Sequence, residues 1–240
     1  MKLYSVNNQG YLYGRRQLES NSEYELSRKF IKEYLMLDDS IFSHMDNCYY
    51  LENYCHIERR GGHRYLRPSK CSKFVLEQGK HLFYNYQWNY SYHGTFTENV
   101  KSIIKFGLKK PGSRAGNDIV KSKHGTVYGE GIYTSKIPLY AQQYAPTVKW
   151  LGKYIQTIFM VRQKPESIDF TNGERSYTLG RRDIHKLYKG YISEEEIQFV
   201  CFEESSCVLH ALLIKVHDKD PHSIGGEDYK IKEILDGLAD

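Results

Sequence analysis

The chain has few cysteines and no long apolar run, and each scarcity argues against a class of protein. Five cysteines in 240 residues include no Cys-x-x-Cys pair, which disfavours both a disulfide framework and a zinc site. No apolar run approaches the roughly 18 residues that a membrane helix needs. The first residues contain no apolar signal region. We therefore expect an intracellular protein, cytoplasmic or nuclear, with reduced thiols, no bound metal and no membrane partner.

No internal repeat or low-complexity segment divides the chain, and its length suits one domain with an extension or two small domains. Hydrophobic residues make up 40% of the chain, and 22 tyrosines give it an unusually aromatic composition. Such a chain can fill a sizeable core. We divide it into an N-terminal extension with one amphipathic helix (1–57), a main domain (58–217) and a tail able to form a terminal helix (218–240).

The apolar periodicity predicts one long helix and one buried strand. From Ser22, apolar side chains recur at helical spacing up to Leu35, so we predict a helix that ends before Asp38. Residues 154–162 are nearly continuously apolar over a short stretch, which is typical of a strand buried on both faces.

Turn signals predict how several other segments connect. Residues 58–68 contain a basic turn between two strand-like pieces, and residues 74–84 are predicted to form a hairpin around Gly79. Two late apolar runs, at 198–202 and 208–216, are expected to form a hairpin or a neighbouring pair.

The most informative stretch runs from residue 92 to residue 145. It opens with a His-Gly-Thr triplet at 93–95, followed at once by a one-sided helix that Gly107 ends. Thr95 and Glu98 fit a reciprocal capping box at the start of that helix. A Lys- and Gly-rich loop then leads to the run Tyr-Gly-Glu-Gly-Ile-Tyr at 128–133, and a tyrosine follows eleven residues later.

These three pieces, in this order and at these intervals, resemble the NAD-binding signature of poly(ADP-ribose) polymerase-like ADP-ribosyltransferases. The resemblance covers residues 92–216 and implies an α+β fold. Its expected form is a split β-sandwich of two mostly antiparallel sheets with few short helices, an N-terminal extension and an NAD crevice between the sheets. It also implies NAD as co-substrate, no metal, and release of nicotinamide as ADP-ribose passes to an acceptor.

The resemblance assigns roles to individual residues. The imidazole of His93 would donate to a ribose hydroxyl and so orient the ribose. The backbone of Gly94 and the hydroxyl of Thr95 would hold the carboxamide of nicotinamide. The rings of Tyr133 and Tyr144 would stack against its flat ring. Because the transition state resembles an oxocarbenium ion, the site must also stabilise developing positive charge.

The sequence departs from the family pattern where that charge would be stabilised. Gln198 stands at the position of the family's catalytic glutamate, and loss of one electrostatic partner of this kind costs about 100- to 1,000-fold in rate. Glu196, one pleat away on the same strand face, is a second catalytic candidate, and a solvated acidic strand entrance is an equal alternative. Ala141 replaces a serine that touches the carboxamide in the family. Members without the glutamate are regarded as mono-transferases or inactive binders.

Positive charge is concentrated between residues 101 and 124, where seven lysines and arginines accompany a single acid, Asp118. Arg114 and Lys123 are our candidates for contacts with the NAD pyrophosphate. A mobile, solvated loop is an equal alternative. A nucleic-acid surface is a third, although no recognised nucleic-acid motif accompanies the charges.

The leading hypothesis is therefore a mono-ADP-ribosyltransferase that acts on a macromolecular acceptor, expected to be a protein, with the chain itself as one candidate. One alternative is a catalytically inactive relative that binds NAD or a partner. Another is a nucleic-acid-associated protein that uses the basic segment at 101–124. The sequence favours no particular oligomeric state.

Overall fold

A computed structural model describes residues 11–13, 18–43, 46–51, 57–82, 87–121, 129–170 and 197–221. The helices with described bounds are α1 (Ser22–Glu33), α2 (Val100–Phe106) and α3 (Pro138–Gln142). The described strands are β1 (Tyr11–Tyr13), β2 (Cys48–Tyr50), β3 (Ile57–Arg60), β4 (His63–Leu66), β5 (Cys71–Val75), β6 (Asn89–Gly94), β7 (Arg114–Ala115), β8 (Asp118–Ile119), β9 (Ile132–Ser135), β10 (Val148–Trp150), β11 (Lys153–Gln163), β12 (Ile168–Phe170), β13 (Gln198–Cys201) and β14 (Cys207–His217).

Ten of these strands form one antiparallel main sheet in the order β1-β2-β5-β14-β11-β6-β9-β13-β12, and β10 pairs with one end of β11. The pairs β3-β4 and β7-β8 are separate two-stranded hairpins. The fold is thus α+β, with mostly antiparallel strands and few short helices, as expected. In the described residues the strands expected to form two sheets are joined into one.

The centre of the sheet is a long ladder between β11 and β14. Each strand has eleven residues, and ten residue pairs join them, with one register shift after Met160. The strand predicted at 154–162 is confirmed. Strand β14 pairs with β11 along one edge and with β5 along the other, where Ala211 lies opposite Val75.

A much weaker join lies between β6 and β9. A single residue pair, Tyr92 with Ser135, connects the two strands and so attaches β9, β13 and β12 to the other seven. We call residues 91–94 of β6 and 132–135 of β9 the seam. A buried side chain reinforces it from β11: the Oε1 of Gln163 accepts hydrogen bonds from the hydroxyls of Ser91, at 2.7 Å, and Thr134, at 3.1 Å.

The two faces of the main sheet are covered by different elements. On the first face lie the apolar side chains of β5, β11 and β14, including Phe74, Phe159 and Leu212, in one core with α1 and α2. On the second face, tyrosines and small side chains of the same sheet form a separate core with Ala141 and Ala145. Alternation along each strand produces this division.

Helix α1 belongs to the first face. It begins at Ser22, as predicted, and the side chain of Asn21 caps it by accepting from the backbone nitrogen of Tyr24 at 2.8 Å. The ring of Tyr24 stacks on Phe74 of β5 at 5.0 Å between centroids. The described part of the N-terminal extension therefore shares the sheet and core of the main domain. No helix among the described residues is long and apolar enough to cross a membrane.

Two predicted connections are wrong. The hairpin predicted at 74–84 does not form in its described part, because Glu77–Leu82 is a 3-10 helix and β5 pairs with β2 and β14 instead. Residues 83–84 lie outside the described residues. The late strands β13 and β14 are not neighbours either, since β11, β6 and β9 lie between them. In both cases a longer ladder with a distant strand replaces the local pairing.

The predicted capping box also does not form. Helix α2 is preceded by a 3-10 turn, Thr97–Asn99, and neither has a side-chain cap. The hydroxyl of Thr97 instead bonds to that of Thr157 at 3.2 Å, and the hydroxyl of Thr95 accepts from the Asn99 amide at 3.4 Å. Gly107 ends the helix with a positive φ of 77°, as predicted.

Candidate functional site

The residues singled out by the sequence meet where the two seam strands separate. Beyond the Tyr92–Ser135 pair, the imidazole Nδ1 of His93 lies 2.8 Å from the carbonyl oxygen of Tyr133. A side chain thus holds the strands together at a point where the backbone ladder has ended. His93 and Tyr133 are both half-buried, so their side chains are reachable from solvent.

This contact defines the chemistry of the His93 ring. A carbonyl oxygen only accepts hydrogen bonds, so Nδ1 must carry the proton. In the neutral ring, Nε2 is then an acceptor. The expected donation from His93 to a ribose hydroxyl consequently requires the charged imidazolium, whereas the neutral ring would accept a hydrogen bond from that hydroxyl.

Gly94 lies in direct contact with the backbone of the helix α3 region. A Cβ atom added to Gly94 would lie 1.8 Å from the carbonyl oxygen of Ala141 and 3.1 Å from the Cβ of Tyr144. Only glycine allows this approach, and the approach brings Tyr144 beside the His93–Gly94 corner. The amide of buried Gln156 secures the end of the helix by donating to the carbonyls of Gln142, at 2.8 Å, and Ala145, at 2.5 Å.

Gln198 lies on the same face of the sheet as α3. Gln198 is opposite Ser135, and Ser135 is opposite Tyr92, so the three side chains share the second face. The side chain of Gln198 is buried, and its Oε1 accepts from the hydroxyl of Tyr140 at 3.4 Å. The amide of Gln198 is therefore directed at α3.

Aromatic rings form one wall of the site. Tyr140 and Tyr144 are one helical turn apart, with ring centroids 5.6 Å apart in an edge-to-face arrangement and hydroxyls 3.1 Å apart. Tyr144 is half-buried. On β9, the hydroxyl of Tyr133 donates to the carbonyl of Gly129 at 2.8 Å. Half-buried aromatic rings and backbone amides are suited to a flat heteroaromatic ring with a polar edge.

Other predicted site residues are placed less closely or are not described. Thr95 is buried next to Gly94, and its hydroxyl keeps a proton to donate while accepting from Asn99. Arg114 is exposed on the hairpin β7-β8. Glu196 and Lys123 lie outside the described residues.

Glu204, in the connection between β13 and β14, contacts the basic segment at 101–124. The carboxylate of Glu204 accepts from the Nζ of Lys109 at 2.7 Å and from the backbone nitrogen of Lys110 at 3.1 Å. Burial opposes ionisation of Glu204, but these bonds and one from Ser113 outweigh it and lower the pKa of the carboxyl. The segment's positive charge is thus partly neutralised where it meets the β13–β14 connection.

Sequence reasoning missed two buried groups beside the site, Tyr140 and Lys136. The Nζ of Lys136, which is fully buried, lies 3.5 Å from the Nδ1 of His63 and 4.8 Å from the ring centroid of Phe199. The four-residue spacing of Tyr140 and Tyr144 was a signal for their contact. Nothing in the sequence indicated that Lys136 is buried, because a lysine after a strand is usually exposed.

A second polar cluster lies on the same face, further along β6. The guanidinium of fully buried Arg162 stacks 3.9 Å above the ring centroid of Tyr90, whose hydroxyl lies 3.2 Å from the Nε2 of His210. Burial, followed by the charges of Lys73, Arg162 and Arg60, holds the pKa of His210 well below its usual value of 6.5. His210 is therefore neutral at physiological pH.

Among the described residues, no group of three or more His, Cys, Asp or Glu side chains could hold a metal ion. The sequence matches no protein-family model, and a search of curated proteins found no match either.

Proposed function

We propose that the protein is a mono-ADP-ribosyltransferase that cleaves NAD, releases nicotinamide and transfers ADP-ribose to a macromolecular acceptor. One observation carries the proposal. His93 contacts the backbone carbonyl of Tyr133, Gly94 packs against Tyr144, and Tyr144 is linked to Gln198 through the hydroxyl of Tyr140. These residues, which the resemblance groups as an NAD site, come from four separate segments. Nothing in the chain's local folding requires them to meet.

In the proposed reaction the chain's residues bind and orient NAD more than they react. The edge of β6 at Gly94 would hold the carboxamide, and the rings of Tyr133 and Tyr144 would flank the nicotinamide ring. The imidazole of His93 would hold a ribose hydroxyl. The scissile bond joins ribose C1′ to the nicotinamide nitrogen, and positive charge develops on the ribose as it breaks.

Gln198 limits what the site would do with that charge. Its amide can form hydrogen bonds but carries no negative charge to stabilise the oxocarbenium ion. We therefore expect slow turnover and transfer of one ADP-ribose unit rather than chain elongation. A protein acceptor, including the chain itself, is the expected target.

The direct test is nicotinamide release and acceptor labelling by the purified chain with NAD. We expect His93→Ala and Tyr133→Ala each to lower turnover by about 100-fold or more, because each removes a binding or orienting contact in the transition state. The matched control is Tyr34→Ala, which removes a partly exposed tyrosine just after α1, outside the candidate site. It should retain full turnover. Activity that survives both site changes would refute the site.

The presence of Gln198 favours one alternative function, an inactive module that binds NAD. The substitution Gln198→Glu separates the two. A gain in turnover of about 10-fold or more would indicate that only the charge was missing from an active site. Calorimetric NAD binding by both proteins without turnover in either would favour the binding module. If neither protein binds NAD or nicotinamide, both functions fail.

The exposed basic side chains near α2 favour nucleic acid as a further partner. Lys101, Lys105, Arg114 and Lys121 are all exposed in the described residues. An affinity for RNA or DNA that falls with salt, and falls again when these four are changed to Gln, would support such a partner. Labelling of the nucleic acid in the presence of NAD would make it the acceptor.

A further inference from the structure

We propose that Ser135 is a positioning residue that holds Gln198 at a fixed place relative to helix α3, an inference that rests on the proposed function. Ser135 ends β9 and is only 1% exposed. In the main sheet it lies between two residues of neighbouring strands, opposite Tyr92 on β6 and opposite Gln198 on β13. Its side chain shares the second face of the sheet with theirs.

The hydroxyl of Ser135 joins the start of β13 to the start of α3. It donates to the carbonyl oxygen of Ile197, the residue before Gln198, at 2.5 Å. It accepts from the backbone nitrogen of Ile137, the residue before α3, at 3.0 Å. One buried oxygen atom therefore links the backbone beside Gln198 to the backbone from which the helix with the aromatic wall begins.

The partners of this hydroxyl fix the direction of both hydrogen bonds. A backbone carbonyl can only accept and a backbone N–H can only donate, so the serine must donate to Ile197 and accept from Ile137. The bond to Ile197 also continues the connection between strands, because Gln198 with Ser135 is the last residue pair described between β13 and β9. The hydroxyl thus holds β13 one residue beyond the end of its backbone ladder.

Apolar packing holds the same two segments together. Ile137 and Ile197 are fully buried and lie in one small cluster with Leu66 and Tyr140. Apolar packing is not directional, whereas a hydrogen bond requires a defined distance and angle. The hydroxyl of Ser135 therefore supplies a directional contact next to Gln198. A shift of the backbone there would move the amide relative to α3, and small misplacements of site groups lower reaction rates.

The first test is Ser135→Ala, which removes one oxygen atom and adds no bulk. We expect the kcat for nicotinamide release to fall about threefold to tenfold, the loss typical of one hydrogen bond. The KM for NAD should change less than twofold, because Gly94 and Gln156 still hold the far end of α3. The matched control is Ser72→Ala, which removes a fully buried hydroxyl that bonds to Ser27 between β5 and α1. It should leave kcat unchanged, and a fall equal to that of Ser135→Ala would overturn the proposal.

The second test repeats Ser135→Ala in two other backgrounds. With Gln198→Ala no amide is left to position, so the further loss in kcat should be less than twofold. With Gln198→Glu the loss should be at least as large as in the unsubstituted chain, because a displaced carboxylate stabilises the developing positive charge less well. Equal losses in all three backgrounds would mean that the hydroxyl acts only through stability, and the positioning role would be wrong.

A spectroscopic readout separates this proposal from the proposed function. The side-chain amide resonances of Gln198, identified by their disappearance in Gln198→Ala, should shift in Ser135→Ala and remain in place in Ser72→Ala. If the unsubstituted chain neither binds nor consumes NAD, the proposed function fails, and these resonances alone decide whether Ser135 positions Gln198. Resonances that do not move in Ser135→Ala would overturn the positioning role whatever the activity.

Discussion

The main sheet is held together in two different ways. Between β11 and β14, ten residue pairs with one register shift form a backbone ladder, and most of its side chains are buried. At the seam, one residue pair joins β6 to β9, and side chains take over where the ladder stops. His93 bonds to the Tyr133 carbonyl there, and Gln163 bonds to Ser91 and Thr134.

This difference separates the part of the sheet that stabilises the fold from the part that carries the candidate site. Apolar burial is the main favourable contribution to folding, and β11 and β14 bury most of their side chains over eleven residues each. Where the ladder ends, backbone amides and half-buried aromatic side chains become available to a ligand. Side chains at the seam can therefore be changed without breaking the ladder.

The largest expected effect comes from breaking the ladder. Leu212 is fully buried in β14, opposite Phe159. We expect Leu212→Ala to lower the free energy of unfolding by about 2–5 kcal/mol, as lost burial and a residual cavity typically do. Urea denaturation measures the change. Nicotinamide affinity per folded molecule should stay within twofold, and a tenfold loss would show that ladder and site are not separable.

Its control is Ile119→Ala, which removes the same kind of group from a side chain that is 58% exposed. Surface changes of this kind usually alter the free energy of unfolding by less than about 0.5 kcal/mol. A loss as large as that of Leu212→Ala would contradict the assignment of stability to the buried ladder.

The next effect comes from adding one methyl group at the seam. In Gly94→Ala the new carbon would meet the backbone of Ala141, which cannot rotate away, so α3 must shift. We expect a loss of about 1–3 kcal/mol in stability and loss of detectable nicotinamide binding by calorimetry. In Gly62→Ala the new carbon meets nothing within 4 Å, although φ is 82° there. That control should weaken stability through backbone strain and leave binding intact.

A smaller effect is expected from removing the side chain that reinforces the seam. Gln163→Leu leaves the buried hydroxyls of Ser91 and Thr134 without their shared acceptor, at a cost of about 1–2 kcal/mol. Hydrogen exchange should quicken in β9 and β13 and remain slow in β11 and β14. Thr134→Val, which leaves the Ser91 bond in place, should have a weaker effect, and uniform quickening across all strands would contradict a separate seam.

The smallest expected effect is the pH dependence of stability that comes from His210 on β14. Because the pKa of His210 is depressed in the folded protein, the unfolded chain binds a proton first as pH falls. The stability from neutral His210 is complete above pH 6.5, its ordinary pKa, and is lost progressively below that value. Thermal unfolding between pH 5 and pH 7.5 should show this decline, and His210→Gln should flatten it. An unchanged slope in the variant would exclude His210 as its source.

The sequence predicted the elements with strong local patterns. The helix from Ser22 and the strand at 154–162 follow from periodicity and continuous apolar character, and the structure has both. The prediction that β13 pairs with β14 was wrong. It was made because strands close together in the chain often form a hairpin. Pairing is decided by competition among all strands, and β11 offers β14 a longer partner than β13 does.

For the candidate site too, some residues were predicted from the sequence and their distant partners were not. The resemblance to a known signature grouped His93, Tyr133 and Tyr144, and in the structure His93 contacts the Tyr133 carbonyl while Tyr144 lies beside Gly94. The partners that hold this corner were not foreseen, because Gln163 and Gln156 on β11 reach it from distant parts of the chain. A buried glutamine has no local signature, so its role emerges only when the strands are in register.

The pairing of Val75 with Ala211 has a consequence for how the protein is made. More than half of the chain separates these two residues, so β5 leaves the ribosome long before its partner β14 has been synthesised. The backbone edge of β5 that faces β14 stays unpaired until β14 has emerged. Folding that depends on such distant contacts is slow, and its intermediates are prone to aggregation. We therefore expect good recombinant yields to depend on cool, slow expression or on added chaperones.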